Sequence, residues 1–143
     1  MWSQKTRYAV RALIVLAENP GKPMSVREVA DGYGIPHKYL EAIFGDLRTE
    51  RIVRSTKGPR GGYLFDRSPE HISLEDVLRA VDREFLSNGS DDATADRAGR
   101  GVAAETDILK AVATPFYRRL TETSIADALH KWRSRRQIVD YVI

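Results

Sequence analysis

Residues 57–65 read KGPRGGYLF, in which two cations and three glycines lead into an apolar run. Cations beside side-chain-free backbone suit the holding of phosphate, because amide N–H groups and a guanidinium or ammonium can converge on it there. That phosphate belongs either to a nucleotide or to a nucleic acid. A P-loop needs G-x-x-x-x-G-K-[ST] opening a helix, but Gly61-Gly62 is followed by Tyr63, with no Lys and no hydroxyl. A dinucleotide loop needs G-x-G-x-x-G between a strand and a helix, whereas this loop lies between two β-prone runs, residues 52–56 and 63–65. Polynucleotide phosphate is the reading that fits.

Other chemistry is poorly supplied. With no cysteine there is no disulfide framework, no thiolate metal site and no catalytic thiol. His37, His71 and His130 are the three histidines, far apart and without an i, i+4 pair, so a histidine metal site requires the fold or an assembly to gather them. No Ser/His/Asp arrangement or paired-carboxylate site has a recognisable context. No catalytic residue, metal ligand or cofactor is expected, and the chain does not read as an enzyme.

Charge distribution agrees with a polyanionic partner. Residues 1–67 carry 12 Lys and Arg against 7 Asp and Glu, while residues 68–143 carry 11 against 13. A basic first half beside a slightly acidic second half points the first half at a nucleic acid. The chain has 143 residues, 42% apolar and 30% charged, enough for one domain with a real core and an appendage. No apolar run approaches the roughly 18 residues of a bilayer span, and the start MWSQKTRYAV lacks a signal-peptide core. No membrane association is expected, and the cytoplasm is the expected location.

The elements that position the loop are legible from periodicity. Residues 4–18 repeat Ala9, Ala12, Leu13, Leu16 and Ala17 at helical spacing until ENPGKP breaks the pattern. Ser25 and Glu28 form a capping box for a short helix that ends at Gly32 or Gly34. Pro36 suits the first turn of a third helix, reaching Glu50, whose Leu40, Ile43, Phe44 and Leu47 make a core stripe. Its other face carries Lys38, Glu41, Ala42, Gly45 and Thr49. Ala42 and Gly45 either admit a partner close to the backbone or make room for a neighbouring helix. The KGPRGG turn then joins two short strands, and Ser73 caps a helix with Leu74, Val77, Leu78 and Val81 on its apolar side. Residues 84–101, within SNGSDDATADRAGRG for the most part, read as a flexible loop. A helix over about 103–122 is expected to kink or split at Pro115, and TSIADAL reads as a short capped helix before an apolar tail.

Helix, short helix, glycine turn, helix and basic-tipped hairpin make a winged helix-turn-helix. The fold class is mainly α with a small β-hairpin, a winged helix-turn-helix DNA-binding domain over residues 1–83, the loop 84–101, and a C-terminal helix and tail over 102–143. In this arrangement the second helix of the pair lies in the major groove and the hairpin reaches the flanking backbone.

The stretches KTRYAVRALIVLA, SVREVADGYGIPHKYLEAIFGDLRTERIVRSTKGPRGGY, SPEHISLEDVLRAVD and TSIADAL resemble, in order and spacing, the bacterial regulator family that includes IscR, NsrR and CymR. The likeness runs closely over residues 4–83 and resumes weakly near 120–129. It implies a homodimeric transcription regulator, a repressor, whose C-terminal dimerisation helix after residue 100 crosses to its partner over a palindromic operator in double-stranded DNA. The family's base-reading positions fall on Lys38 and Glu41, with Tyr39 and Ala42 beside them. Its wing contacts fall on Lys57, Gly58, Gly61 and Gly62, and Arg60 stands where many relatives have a small residue. Glu41 can accept from cytosine N4, or it can pair with a neighbouring cation on the helix surface.

The chain departs from the family in one respect. Many relatives hold an iron–sulfur cluster on three cysteines in the region of residues 87–104, and here there are none, so cluster sensing by that route is excluded. Ala98 and Ala103–Ala104 fall near cysteine positions, which leaves both a native cysteine-free member and a substituted one open. Regulation by a small molecule or a protein corepressor is implied instead. Trp2, Tyr8, Phe116, Tyr117, Trp132 and Tyr141 lie toward the two ends and form either plain core or a ligand pocket. The alternative for the whole chain is a winged-helix protein-interaction module that no longer binds DNA.

Overall fold

The computed structural model describes residues 1–87 and 100–142. The first helix, α1 (Gln4–Glu18), starts where the Ser3 hydroxyl accepts the Thr6 amide. It buries Ala9, Ala12, Leu13, Val15 and Leu16 and packs against the third, fourth and last helices of the chain. The next, α2 (Val26–Tyr33), carries the expected capping box: Ser25 Oγ accepts from the Glu28 amide at 3.1 Å, and the Glu28 carboxylate accepts from the Ser25 amide at 2.8 Å. Gly34, left-handed at φ +64, closes it.

The third helix, α3 (His37–Thr49), begins one residue later than expected, with Pro36 at its N-cap rather than inside its first turn. Leu40, Ile43, Phe44 and Leu47 are completely buried, each contributing ~1.5–3 kcal/mol relative to exposure. The helix ends in a Schellman motif: the Ile52 amide donates to Leu47 O at 2.9 Å and the Arg51 amide to Arg48 O at 3.0 Å. This motif needs a left-handed residue, normally glycine, and here it is Arg51 at φ +55. A side chain there costs ~1–2 kcal/mol.

Strands β1 (Val53–Thr56) and β2 (Gly62–Phe65) pair antiparallel, with Val53 opposite Phe65 and Thr56 opposite Gly62. The α1–α2 loop adds a short third rung that the sequence does not announce. The Met24 amide donates to Tyr63 O at 3.1 Å and the Tyr63 amide to Met24 O at 2.8 Å.

A 3-10 turn, Pro69–His71, leads to α4 (Leu74–Val81), capped by Ser73 as expected and boxed by Asp76. The segment after it is not loop throughout: α5 (Arg83–Ser87) is helical, and residues 88–99, with Ala98 among them, lie outside the described residues. The long helix α6 (Arg100–Glu122) runs through Pro115 without splitting. Ala111, whose carbonyl loses its amide partner to the proline, is exposed, so water can take the bond.

The short helix expected at TSIADAL is instead the start of α7 (Ile125–Val142). Ser124 and Asp127 cap it reciprocally, and the run HKWRSRRQ that follows contains neither glycine nor proline to stop it. Two backbone bonds, the Leu74 amide to Thr123 O and the Ile125 amide to Ile72 O, pin its start beside α4. Further along, Trp132 Nε1 donates to Glu18 at 3.2 Å, so the chain's end lies along its first helix.

Candidate nucleic-acid interface

The buried stripe of α3 fixes which side chains face outward. Lys38, Tyr39, Glu41 and Ala42 are all exposed on that helix, Tyr39 by 55%. Lys38 has no carboxylate within ion-pair distance among the described residues. Glu41 does have a partner: its Oε1 lies 3.5 Å from His37 Nδ1, one turn back, so the pair is ionic only while the imidazole is protonated. The Tyr39 ring meets Tyr8 of α1 edge-on at 6.0 Å. A Cβ built on Gly45 would meet nothing within 4 Å, so no helix among the described residues requires the glycine. The room beside it is open.

The wing separates its glycines by role. Gly58, at φ +106, has open space around it and supplies the left-handed residue of the turn, closed by the Gly61 amide on Gly58 O at 2.9 Å. A Cβ on Gly61 would lie 2.4 Å from Thr56 O, and one on Gly62 would lie 2.4 Å from the Met24 carbonyl carbon. Those two glycines are needed by the chain's own backbone. Thr56 Oγ1 accepts the Gly62 amide at 3.1 Å, which closes the hairpin from within. Lys57 and Arg60 stand exposed on the turn with no partner among the described residues.

Several other cations of the domain are engaged. Lys5 bonds Asp46 at 2.6 Å, tying α1 to α3, and Arg27 faces Asp31, Arg79 binds Glu75, and Arg83 binds Glu50. The freedom of Lys38, Lys57 and Arg60 is thus not shared by all basic residues of the domain. Tyr63, which the sequence reading placed in the wing without a task, stacks on Phe44 and so seats β2 against α3. Its alternation within the strand was the available signal.

The end aromatics do not form one cluster. Trp2 stacks with Phe85 at 5.2 Å and Phe116 at 6.1 Å, with Tyr117 next to Phe116. Tyr8 and Trp132 go elsewhere, and the Tyr141 side chain lies outside the described residues. Two hollows do flank α1: one of about 390 Å³ bounded by Trp2, Val10, Leu74 and Val77, and one of about 380 Å³ bounded by Val10, Ile14, Tyr33 and Trp132.

Comparison with known proteins matches residues 2–131 to the Rrf2 family, described as an iron-dependent transcriptional regulator. An HTH-type transcriptional regulator of Mycobacterium tuberculosis is 38% identical over 127 residues, 87% of this chain and 78% of its own length. Among solved structures, T. potens IscR superposes with a TM-score of 0.71 at 25% identity, covering 92% of this chain and 87% of that one. B. subtilis CymR, the global cysteine regulator, superposes with a TM-score of 0.77 at 23% identity over 92% and 97% of the two chains, a likeness of fold. The residues present do not fit the iron in the family's description: the chain has no cysteine, and the described residues contain no group of three His, Asp or Glu able to hold a metal. No helix among the described residues is long and apolar enough to cross a membrane. On the match across nine-tenths of its length, the chain belongs to the Rrf2 family of transcriptional regulators.

Proposed function

We propose that this protein is a sequence-specific regulator that binds double-stranded DNA as a homodimer on a palindromic operator, in the cytoplasm. Residues 1–83 form the DNA-binding domain. The outer face of α3 enters the major groove, where Lys38 and Glu41 read base edges and Tyr39 and Ala42 border them. Lys57 and Arg60 meet backbone phosphate, with Gly58 leaving the turn open and Gly61 and Gly62 holding its shape. The observation that carries this reading is the exposed, unpaired Lys38 and the open space at Gly45, about two turns apart on one face of a helix whose other side is wholly buried.

Dimerisation through the 102–143 region is supported by α6, where Ile108, Leu109 and Val112 are 66%, 60% and 73% exposed. At i, i+1 and i+4 they form one apolar strip, and an isolated soluble chain gains nothing from leaving it in water. Regulation proceeds without an iron–sulfur cluster. A small molecule or a protein corepressor supplies the signal, and the hollow beside Trp2 is the place for the former.

Selection from a random duplex library tests the reading. The expected product is an enriched two-fold symmetric motif with half-sites about one helical turn apart. Failure to enrich any motif would instead favour a winged module that binds protein alone.

A further inference from the structure

At the root of the hairpin, opposite the Lys57–Arg60 tip, a hollow of about 310 Å³ is bounded by Glu50, Arg51, Arg67, Asp76 and Arg79. Three arginines therefore line it from three places in the chain, the turn after α3, the segment after β2, and α4, and the Arg67 and Arg79 guanidiniums both lie beside Asp76. The two carboxylates are already committed. Glu50 binds Arg83, while Asp76 accepts from the Ser73 amide at 3.0 Å and from Arg79 at 3.3 Å. Arg67 reaches Asp76 only at 3.8 Å, beyond a hydrogen bond. Arg51 has no side-chain partner among the described residues.

Arg51 is also the only non-glycine residue with positive φ among the described residues, at the Schellman position where glycine is the ordinary solution. A side chain kept where the backbone disfavours it points to a task for that side chain. A planar guanidinium offers paired donors matched to the oxygens of phosphate, and three arginines against two carboxylates leave the lining with one net positive charge, Arg51 being the arginine without a carboxylate partner.

We infer that Arg51, Arg67 and Arg79 form a binding site for a small phosphate group, either free phosphate or the terminal phosphate of a metabolite. The site is distinct from the proposed DNA contacts. Arg51 follows the C-terminal end of α3, which lies ~16 Å along the helix axis from Lys38 at about 1.5 Å per residue, and it is at the far end of the hairpin from its tip. A phosphate bound there would bridge the ends of α3 and β2 to α4. Through Glu75, which binds Arg79 at 2.7 Å and accepts from Thr121 at 2.8 Å, the bridge extends to α6.

The test is calorimetric titration of the full chain with inorganic phosphate and, separately, glucose 6-phosphate, at ionic strength matched with chloride. The wild type should bind at least one of them saturably at one site per protomer. The tighter of the two identifies the source, free phosphate or a phosphorylated metabolite. Arg51→Gly should lower that affinity about tenfold or more, the loss expected for one charge-assisted contact. Because glycine suits the left-handed position, the same variant should melt higher than wild type, so lost binding cannot be put down to misfolding. Arg67→Gln should weaken binding to a similar degree. Absence of saturable binding in the wild type, or unchanged affinity in Arg51→Gly, would overturn the assignment. So would a fall in the DNA affinity of Arg51→Gly with a shallower salt slope, which would make Arg51 a DNA-backbone contact.

Discussion

The rings of Phe44 and Tyr63 lie parallel, their centroids 4.3 Å apart and their planes 4° from each other. Phe44 is on α3 and is completely buried, while Tyr63 is on β2 and half-buried, so the stack joins helix and wing. Tyr63→Leu keeps the apolar bulk and removes the stack, which should cost ~0.5–1.5 kcal/mol in denaturant unfolding. Phe44→Ala should cost ~3–5 kcal/mol, because it also opens a cavity in the core. Unchanged stability in Tyr63→Leu would mean that the stack does not link the elements.

The four glycines of helix and wing should respond differently to alanine. Gly62→Ala places a Cβ against the Met24 backbone and should destabilise the fold by ~1–3 kcal/mol, with Gly61→Ala similar. Gly58→Ala meets no atom but must hold φ +106, so its penalty is one of conformation alone. Gly45→Ala should stabilise by ~1 kcal/mol, since nothing in the chain opposes a methyl there. If DNA approaches α3 closely at Gly45, the same variant binds DNA more weakly despite its higher melting temperature. Unfolding curves and binding isotherms on the same four variants separate these effects.

Two helix caps carry an acid dependence. The Ser25 amide and hydroxyl hold the Glu28 carboxyl below its ordinary 4.5, and Ser124 does the same for Asp127, below 3.8. A depressed folded value means the unfolded chain takes up the proton more readily. The stabilisation is therefore full above about pH 4.5 for Glu28 and about pH 3.8 for Asp127, and is lost as the pH falls through the depressed values. Carboxyl-carbon NMR titration should find both midpoints below these ordinary values, and Glu28→Gln should flatten the acid limb of the stability curve. Midpoints at or above the ordinary values would remove the caps from the acid response.

The apolar strip on α6 makes the oligomeric state directly testable. Leu109→Glu together with Val112→Glu should convert a dimer to a monomer in light scattering after size-exclusion chromatography. Circular dichroism should still report a folded winged domain, because neither residue belongs to its core. A wild type that is monomeric at micromolar concentration would contradict the dimer.

Local signals made much of this fold legible. The Ser25–Glu28 and Ser73 caps, the Leu40–Ile43–Phe44–Leu47 stripe and the glycine-tipped hairpin depend on residues within a few positions of one another, and all are present. What was not legible depends on distant chain or on compensation. Met24 pairs with Tyr63 only once α1 and α3 have packed, and no pattern around Met24 marks a strand. The length of α7 was hidden because residues 131–139 are exposed and carry no apolar period. Pro115 signalled a break that solvent exposure makes tolerable, and Arg51 concealed a left-handed turn because it is not glycine. In sequence the wing glycines read alike, as a tight turn that allows close approach. Gly61 and Gly62 make room for the chain itself, and only Gly58 is open.

The most direct measurement is fluorescence anisotropy of a selected operator duplex titrated with the wild type and with Lys57→Ala/Arg60→Ala over a range of salt. Each phosphate neutralised contributes about −0.9 to the slope of log affinity against log salt. The expected result is a steep wild-type slope that becomes shallower by about two for each protomer in the double variant, with affinity reduced for every sequence alike. Identical slopes and affinities for the two proteins would contradict the wing's place on DNA.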